Sequence, residues 1–210
     1  MKKISDELNR IEKIFDNLEI GKHRTREYKE DREWWVLGKL KMIFQNENLN
    51  FPNYAEKLEE NDTDFNISYD GEVFYKGLQI TEVVPLEYKY REIKDSNVKM
   101  NIWEYYEDVL MNKLNMHFGP NNWLVIYFDE LYSKINNNGY WHNVILERSK
   151  KLNLSKNTYE KILAIDSRGD AAVSLYPYLF VISPEWNHQS TIIDQCLYRK
   201  NTYYKNIKGI

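Results

Sequence analysis

The chain has 210 residues, 42% of them hydrophobic and 29% charged, and its formal net charge at pH 7 is -3. These values are typical of a globular domain and exclude disordered and fibrous proteins. The single cysteine, Cys196, has no internal disulfide partner, which excludes a disulfide-stabilised secreted fold. No apolar run reaches the roughly 18 residues of a membrane helix, so we expect a single cytoplasmic domain over residues 1–210 that does not associate with membranes.

The composition indicates which kinds of ligand the protein is suited to bind. The 29 basic and 32 acidic residues nearly cancel, so nucleic-acid binding would need a local basic groove. The 17 tyrosines and 6 tryptophans are interleaved with aliphatic residues, a pattern typical of a hydrophobic core. The four histidines lack the spacing of a zinc site, and the sequence has no phosphate-binding glycine loop.

Helices are predicted in the first quarter of the chain. Apolar residues recur at helical spacing between residues 6 and 18, after Ser5, a residue type that caps helices. The same spacing predicts a second helix over residues 26–46. Residues 54–60 are predicted to form a short helix.

Residues 64–84 predict a β-hairpin. Polar and apolar residues alternate on both sides of the Asp-Gly pair at 70–71. Asp-Gly is a strong signal for a two-residue type I′ turn, because that turn needs positive φ at both central residues. The hairpin is therefore predicted to turn at residues 70–71.

The predicted turn also sets the register of the two strands. With a two-residue loop, Asp64 lies opposite Gly77, and Asp64 shares one face of the sheet with Gln79 and Thr81. Gln79 is then diagonal to Asp64, with roughly 7 to 8 Å between the backbones, a span that a metal ion can bridge. The sequence therefore predicts that these polar side chains converge.

The rest of the chain alternates helices and strands. Residues 98–118 have the spacing of an amphipathic helix, and residues 123–128 form an apolar run typical of a buried parallel strand. A further helix is predicted over residues 141–152. Three short strands are predicted over residues 161–165, 171–176 and 178–183. The predicted fold class is α/β, with a mixed central sheet flanked by helices.

The hairpin and the elements after it carry a resemblance to a known family. In order, they are Thr63, Asp64, Phe65 and Asn66, a hairpin turn, Leu78, Gln79, Ile80, Thr81 and Glu82, an amphipathic helix and the strand at 123–128. Over residues 26–130 this order resembles the core of the PD-(D/E)XK nuclease superfamily. The resemblance implies a restriction-endonuclease-like fold, with residues 131–210 completing the domain.

The resemblance also implies a site. In that superfamily the motif Asp binds a divalent metal, a Glu or Gln on the next strand is the second ligand, and a Lys two residues later assists the attacking water. Asp64 and Gln79 match the two ligands, which implies Mg²⁺ or Mn²⁺ as the cofactor. Thr81 stands at the lysine position, and Thr63 stands where the family has Pro.

Three other residues are candidates for the same site. Glu33, on the helix before the hairpin, is a candidate third metal ligand, with an exposed helix carboxylate as the alternative interpretation. Lys113, on the helix after it, is a candidate for a displaced catalytic cation in place of Thr81. Strand alternation puts Glu82 on the opposite face, unless the strand ends at Thr81.

Three hypotheses about function follow. The first is a metal-dependent nuclease that hydrolyses phosphodiester bonds of DNA or RNA. The second is a catalytically inactive domain of the same fold that binds nucleic acid or a protein, and the third is a structural or regulatory protein in which Asp64 and Gln79 are ordinary strand residues. The first predicts that Asp64→Ala abolishes activity and changes the stability by no more than about 0.5 kcal/mol.

Overall fold

A computed structural model of the protein describes eleven stretches of the chain. They are residues 1–18, 26–59, 63–70, 75–83, 102–116, 119–128, 141–152, 154, 159–165, 172–177 and 180–182. The helices in these stretches are α1 (Ile4–Phe15), α2 (Lys29–Asn46), α3 (Ile102–Leu114) and α4 (Trp141–Lys151). The strands are β1 (Lys2–Lys3), β2 (Tyr54–Lys57), β3 (Phe65–Ser68), β4 (Lys76–Val83), β5 (Asn122–Phe128), β6 (Lys161–Ile165), β7 (Ala172–Tyr176) and β8 (Phe180–Ile182).

All eight strands belong to one mixed sheet whose order, from β1 to β8, follows the chain. The pairs from β1 to β4 are antiparallel, β4, β5 and β6 run parallel, and β7 and β8 are again antiparallel. The predicted α/β class with a mixed sheet is confirmed. The buried parallel strand predicted at residues 123–128 is also confirmed, because β5 pairs in parallel with β4 and with β6.

The described ends of the predicted helices lie within a few residues of their predicted positions. Residues 98–101 and 117–118 of the third predicted helix lie outside the described residues. A single 3₁₀ turn (Arg26–Tyr28) precedes α2, and α3 and α4 fall inside their predicted ranges. The cap assigned to Ser5 is wrong, because α1 begins at Ile4 and no side chain caps it. No helix in the described stretches is both long enough and apolar enough to cross a membrane.

The short helix predicted over residues 54–60 is also wrong, because Tyr54–Lys57 is strand β2. Ala55 lies opposite Ile67 of β3, and both side chains are buried. Ala, Glu and Lys favour helices intrinsically, but pairing with β1 on one side and β3 on the other overrides that preference.

The hairpin has a different register from the predicted one. Gly77 lies opposite Asn66 rather than Asp64, and Ile67 lies opposite Lys76. Gly71, the second residue of the predicted turn, lies outside the described residues. Asp70, the first residue of the predicted turn, accepts a hydrogen bond of 2.5 Å from the side-chain amide of Asn53 through its carboxylate. A shift of two residues leaves every side chain on its predicted face, because strand faces alternate with period two.

The sheet separates two hydrophobic layers. In β5, Trp123, Val125 and Tyr127 belong to the cluster that contains α1 and α2. The residues between them, such as Leu124 and Ile126, belong to the cluster that contains α3 and α4. Helices therefore cover both faces of the parallel strands, which explains why β5 is apolar on both sides.

Candidate functional site

A cavity of about 290 Å³ opens where β3 begins beside β4, and we call it the cleft. Among its lining residues are six that the sequence analysis discussed: Glu33, Asp64, Gln79, Thr81, Glu82 and Lys113. The others are Lys29, Arg32, Val36, Ile80 and Tyr127. The cleft thus brings together residues from α2, the start of β3, β4 and α3.

The cleft exists because β3 is shorter than β4. Within the described residues β3 pairs only with Lys76, Gly77 and Leu78, whereas β4 continues to Val83 with β5 as its partner. The sheet edge is therefore open beside the second half of β4, and side chains from both faces reach the cleft there. Glu82 lines the cleft for this reason, and not because the strand ends at Thr81.

The carboxylate of Asp64 accepts a backbone hydrogen bond from β4 at this open edge. Its Oδ2 atom accepts a hydrogen bond of 2.7 Å from the backbone N–H of Ile80, and its own backbone N–H donates to the carbonyl of Leu78. The Oδ1 atom lies 3.5 Å from the Nζ atom of Lys57. One carboxylate oxygen is thus fixed by the backbone of β4, and the other faces a cation.

Lys57, at the end of β2, bridges two acidic side chains of the cleft. Its Nζ atom donates to Oε2 of Glu33 at 2.5 Å and lies 3.5 Å from Oδ1 of Asp64. The same ammonium group lies over the ring of Phe65, 4.7 Å from the centroid. Sequence reasoning missed Lys57 because residues 54–57 were assigned to a helix. No local signal reveals it, because the sequence of β2 favours a helix and only Ala55 in this strand is buried.

Glu33 is part of the cleft wall and not an exposed helix carboxylate. Its side chain is 8% exposed, and Lys57 and Lys29 lie 2.5 and 3.4 Å from its two oxygens. Its neighbour Arg32, with a side chain 6% exposed, lies 3.7 Å from Oε2 of Glu82. Two adjacent charged residues of α2 are therefore buried against opposite charges from the sheet.

Tyr159 connects Gln79 to α3. Its hydroxyl lies 3.4 Å from Oε1 of Gln79 and 3.3 Å from the backbone carbonyl oxygen of Lys113. Burial raises the pKa of the Tyr159 phenol, so the hydroxyl keeps its proton and donates to one of these acceptors. Tyr159 precedes β6, outside the part of the chain that carries the family resemblance, and no local pattern in the sequence indicates its contact with Gln79.

The charges at the cleft nearly balance. Glu33, Asp64 and Glu82 contribute three negative charges, and Lys29, Arg32 and Lys113 contribute three positive charges. Lys57 adds one more positive charge beside two of the acids. The cleft is therefore highly charged without the strong positive potential that would itself attract a nucleic-acid backbone.

The oxygen atoms in the cleft are of the kind that bind a hard cation, but two observations stand against a metal site. The carboxylates of Glu33 and Asp64 and the amide oxygen of Gln79 are oxygen ligands of the kind that Mg²⁺ and Mn²⁺ take. In the described part of the chain, however, no group of three or more His, Cys, Asp and Glu side chains is placed to hold a metal ion. The ammonium of Lys57 already contacts both carboxylates.

No family model, curated protein or solved structure matches the chain. The structure defines an α/β protein with a mixed sheet and a charged cleft at the open edge of β4. Its function must therefore be argued from the cleft.

Proposed function

We propose that the protein is a metal-dependent nuclease of the PD-(D/E)XK type that hydrolyses phosphodiester bonds of DNA or RNA in the cleft. One observation carries the proposal. Five residues that the sequence analysis named as candidates for the site, Glu33, Asp64, Gln79, Thr81 and Lys113, come from separate parts of the chain and line one cavity. A chance set of polar residues spread over 81 positions has no reason to converge in this way.

In this proposal Glu33, Asp64 and Gln79 hold Mg²⁺ or Mn²⁺. The ion would polarise the phosphate and lower the pKa of the attacking water. The hydrogen bond from the Ile80 N–H fixes one oxygen of Asp64, so the carboxylate is oriented before any ligand binds. The Tyr159 hydroxyl lies 3.4 Å from Oε1 of Gln79 and orients the amide when it donates to that oxygen rather than to the carbonyl of Lys113.

Positive charge beside the phosphate comes from α3. The family places a lysine at the position of Thr81, whose side chain carries no charge. Lys113 lines the same cleft and supplies an ammonium group for the charge that develops on the phosphate oxygens. Thr81 offers only a hydroxyl, a hydrogen-bond partner for a phosphate oxygen or a water.

The nearly balanced charge makes substrate binding depend on the ion. With three acids and, counting Lys57, four bases at the cleft, a phosphodiester gains little from the protein alone, and a divalent cation makes the cleft more strongly positive. We therefore expect nucleic acid to bind in the presence of Mg²⁺ or Mn²⁺ and weakly without it.

The second candidate is an inactive domain of the same fold that binds nucleic acid or a protein. Two observations favour it. Thr81 replaces the catalytic lysine, and Lys57 supplies a protein cation between Glu33 and Asp64. Such a domain would bind its partner equally well in EDTA and in Mg²⁺.

The test is hydrolysis of labelled single- and double-stranded DNA and RNA by the purified protein in Mg²⁺, Mn²⁺ and EDTA. Asp64→Asn should abolish cleavage. Asp31→Asn, which removes a carboxylate from α2 that pairs with Arg10 outside the cleft, should leave cleavage unchanged. Cleavage that appears only after Gln79→Glu and Thr81→Lys would mark a degenerate nuclease. No cleavage even then would favour the inactive binding domain.

A further inference from the structure

Lys57 is held at the cleft by three separate interactions. Its ammonium lies 2.5 Å from Glu33, 3.5 Å from Asp64 and 4.7 Å from the centre of the Phe65 ring. Its side chain is 23% exposed, against 56% for Lys29, the other lysine that contacts Glu33. Lys57 is thus a fixed, largely desolvated charge, whereas Lys29 is a surface charge screened by water.

We infer that Lys57 is an internal cation that competes with the divalent metal for Glu33 and Asp64. This inference rests on the proposed function, because it concerns the metal that the function requires. Lys57 is a positioning residue, since it acts on the ion through the two carboxylates and not on the substrate.

The competition follows from distances and charge. A bound Mg²⁺ or Mn²⁺ lies about 2.1 Å from each ligand oxygen. An ion bridging Glu33 and Asp64 would therefore share the immediate neighbourhood of an ammonium that lies 2.5 and 3.5 Å from the same two side chains. Two cations at such a separation repel strongly in a partly buried site, so the ammonium must move away before the ion can bind.

The first test is the affinity of the folded protein for Mn²⁺ alone, measured by isothermal titration calorimetry. Lys57→Met should tighten binding by about tenfold or more, because it removes the competing charge and keeps the length of the side chain. Lys57→Arg keeps the charge and should remain within about threefold of the wild-type affinity. The matched control, Lys39→Met, removes a lysine of similar exposure (19%) that pairs with Glu12 away from the cleft, and it should change the affinity by less than about threefold.

A second measurement uses the wild-type protein and does not depend on how the variants fold. The rate at which an N-hydroxysuccinimide ester acylates each lysine is followed by peptide mass spectrometry with and without Mn²⁺. Displacement of the ammonium should raise the rate at Lys57 several-fold. The reference is Lys39, whose Nζ atom pairs with Glu12 at 2.7 Å away from the cleft, and its rate should not change.

The outcomes separate the two proposals. The competition would be overturned if wild type and Lys57→Met bound Mn²⁺ with equal affinity. If Asp64→Asn then failed to bind Mn²⁺, the metal site itself would still be supported. An unchanged acylation rate at Lys57 under saturating Mn²⁺ would overturn the competition in the same way. If neither wild type nor Lys57→Met nor Lys57→Gln binds Mn²⁺ at millimolar concentration, the metal-dependent function itself is refuted, and the competition with it.

Discussion

Replacing Asp64 by alanine removes a backbone acceptor as well as a charge. The carboxylate accepts the Ile80 N–H at 2.7 Å, on the side of β4 where β3 no longer pairs. Alanine leaves that N–H without its acceptor and takes one of two acidic contacts from Lys57. The structure therefore gives a larger cost for Asp64→Ala than the value of at most about 0.5 kcal/mol expected for an edge residue.

The size of the cost follows from the hydrogen bond. Leaving a buried donor unsatisfied costs about 1–3 kcal/mol, and water reaches this site in part because the Asp64 side chain is 21% exposed. We expect Asp64→Ala to lower the free energy of unfolding by about 1.5 kcal/mol. Asp64→Asn keeps an oxygen that can accept the hydrogen bond from the Ile80 N–H. It should lower the free energy of unfolding by only about 0.5 kcal/mol. In a domain of this size, 1 kcal/mol corresponds to a shift in Tm of roughly 2–4 °C.

The assay is urea unfolding of the three proteins, followed by circular dichroism, together with amide hydrogen exchange. In Asp64→Ala the Ile80 amide should exchange about tenfold faster than in wild type, while the amides of β5 stay protected. Asp64→Asn should restore most of the protection. If both variants unfold like wild type and the Ile80 amide exchanges equally fast in all three, the hydrogen bond from Ile80 does not contribute as we argue.

Three further predictions concern buried polar groups. Tyr106→Phe leaves the hydroxyl of Ser149, 2.6 Å away, without its partner in the core and should cost about 1–2 kcal/mol in urea unfolding, part of which Ser149→Ala should restore. Tyr159→Phe removes the donor beside Gln79 and should weaken Mn²⁺ binding by about threefold to tenfold in calorimetry, with little change in Tm. Burial lowers the pKa of the Lys161 amine to about 8, so Lys161→Met should stabilise the protein by roughly 1 kcal/mol at pH 7.

The sign of the Lys161 effect gives that prediction a clear test. Below pH 8 the folded protein keeps a charge half-buried over the Trp123 ring that the unfolded chain leaves in water. Between about pH 8 and the ordinary lysine pKa of 10.5 the unfolded state binds more protons, so the stability of the wild type rises with pH relative to the variant. The advantage of Lys161→Met should therefore shrink from pH 7 to pH 10. An advantage that grows with pH would contradict this interpretation.

The convergence of Asp64, Gln79 and Thr81 was predictable from the sequence although the predicted hairpin register was wrong. The observed register differs from the predicted one by two residues, which is one full period of a strand. Face assignments survive such an error, whereas a one-residue error would have placed Asp64 on the opposite face from Gln79. The alternation of side chains was thus a more robust guide than the turn chemistry.

The unpredicted parts of the site depend on contacts between distant segments. Lys57 reaches Glu33 only because β2 inserts between β1 and β3, and the local sequence of β2 favours a helix. Glu33 is buried because α2 is covered by α1 as well as by the sheet, so its buried surface is wider than one apolar stripe. The helical spacing of apolar residues assigns charged residues at the margin of such a surface to the exposed face of the helix, although they are buried.

The order of the strands bears on how the chain folds. Each strand of the sheet pairs with the strands that come before and after it in the sequence, although helices separate β1 from β2, β4 from β5 and β5 from β6. The sheet can grow from β1 towards β8 as the chain leaves the ribosome, because each added strand pairs with one that has already emerged. All residues that line the cleft precede β6. During synthesis the walls of the cleft therefore emerge before Tyr159, whose contact with Gln79 joins them to the last part of the sheet.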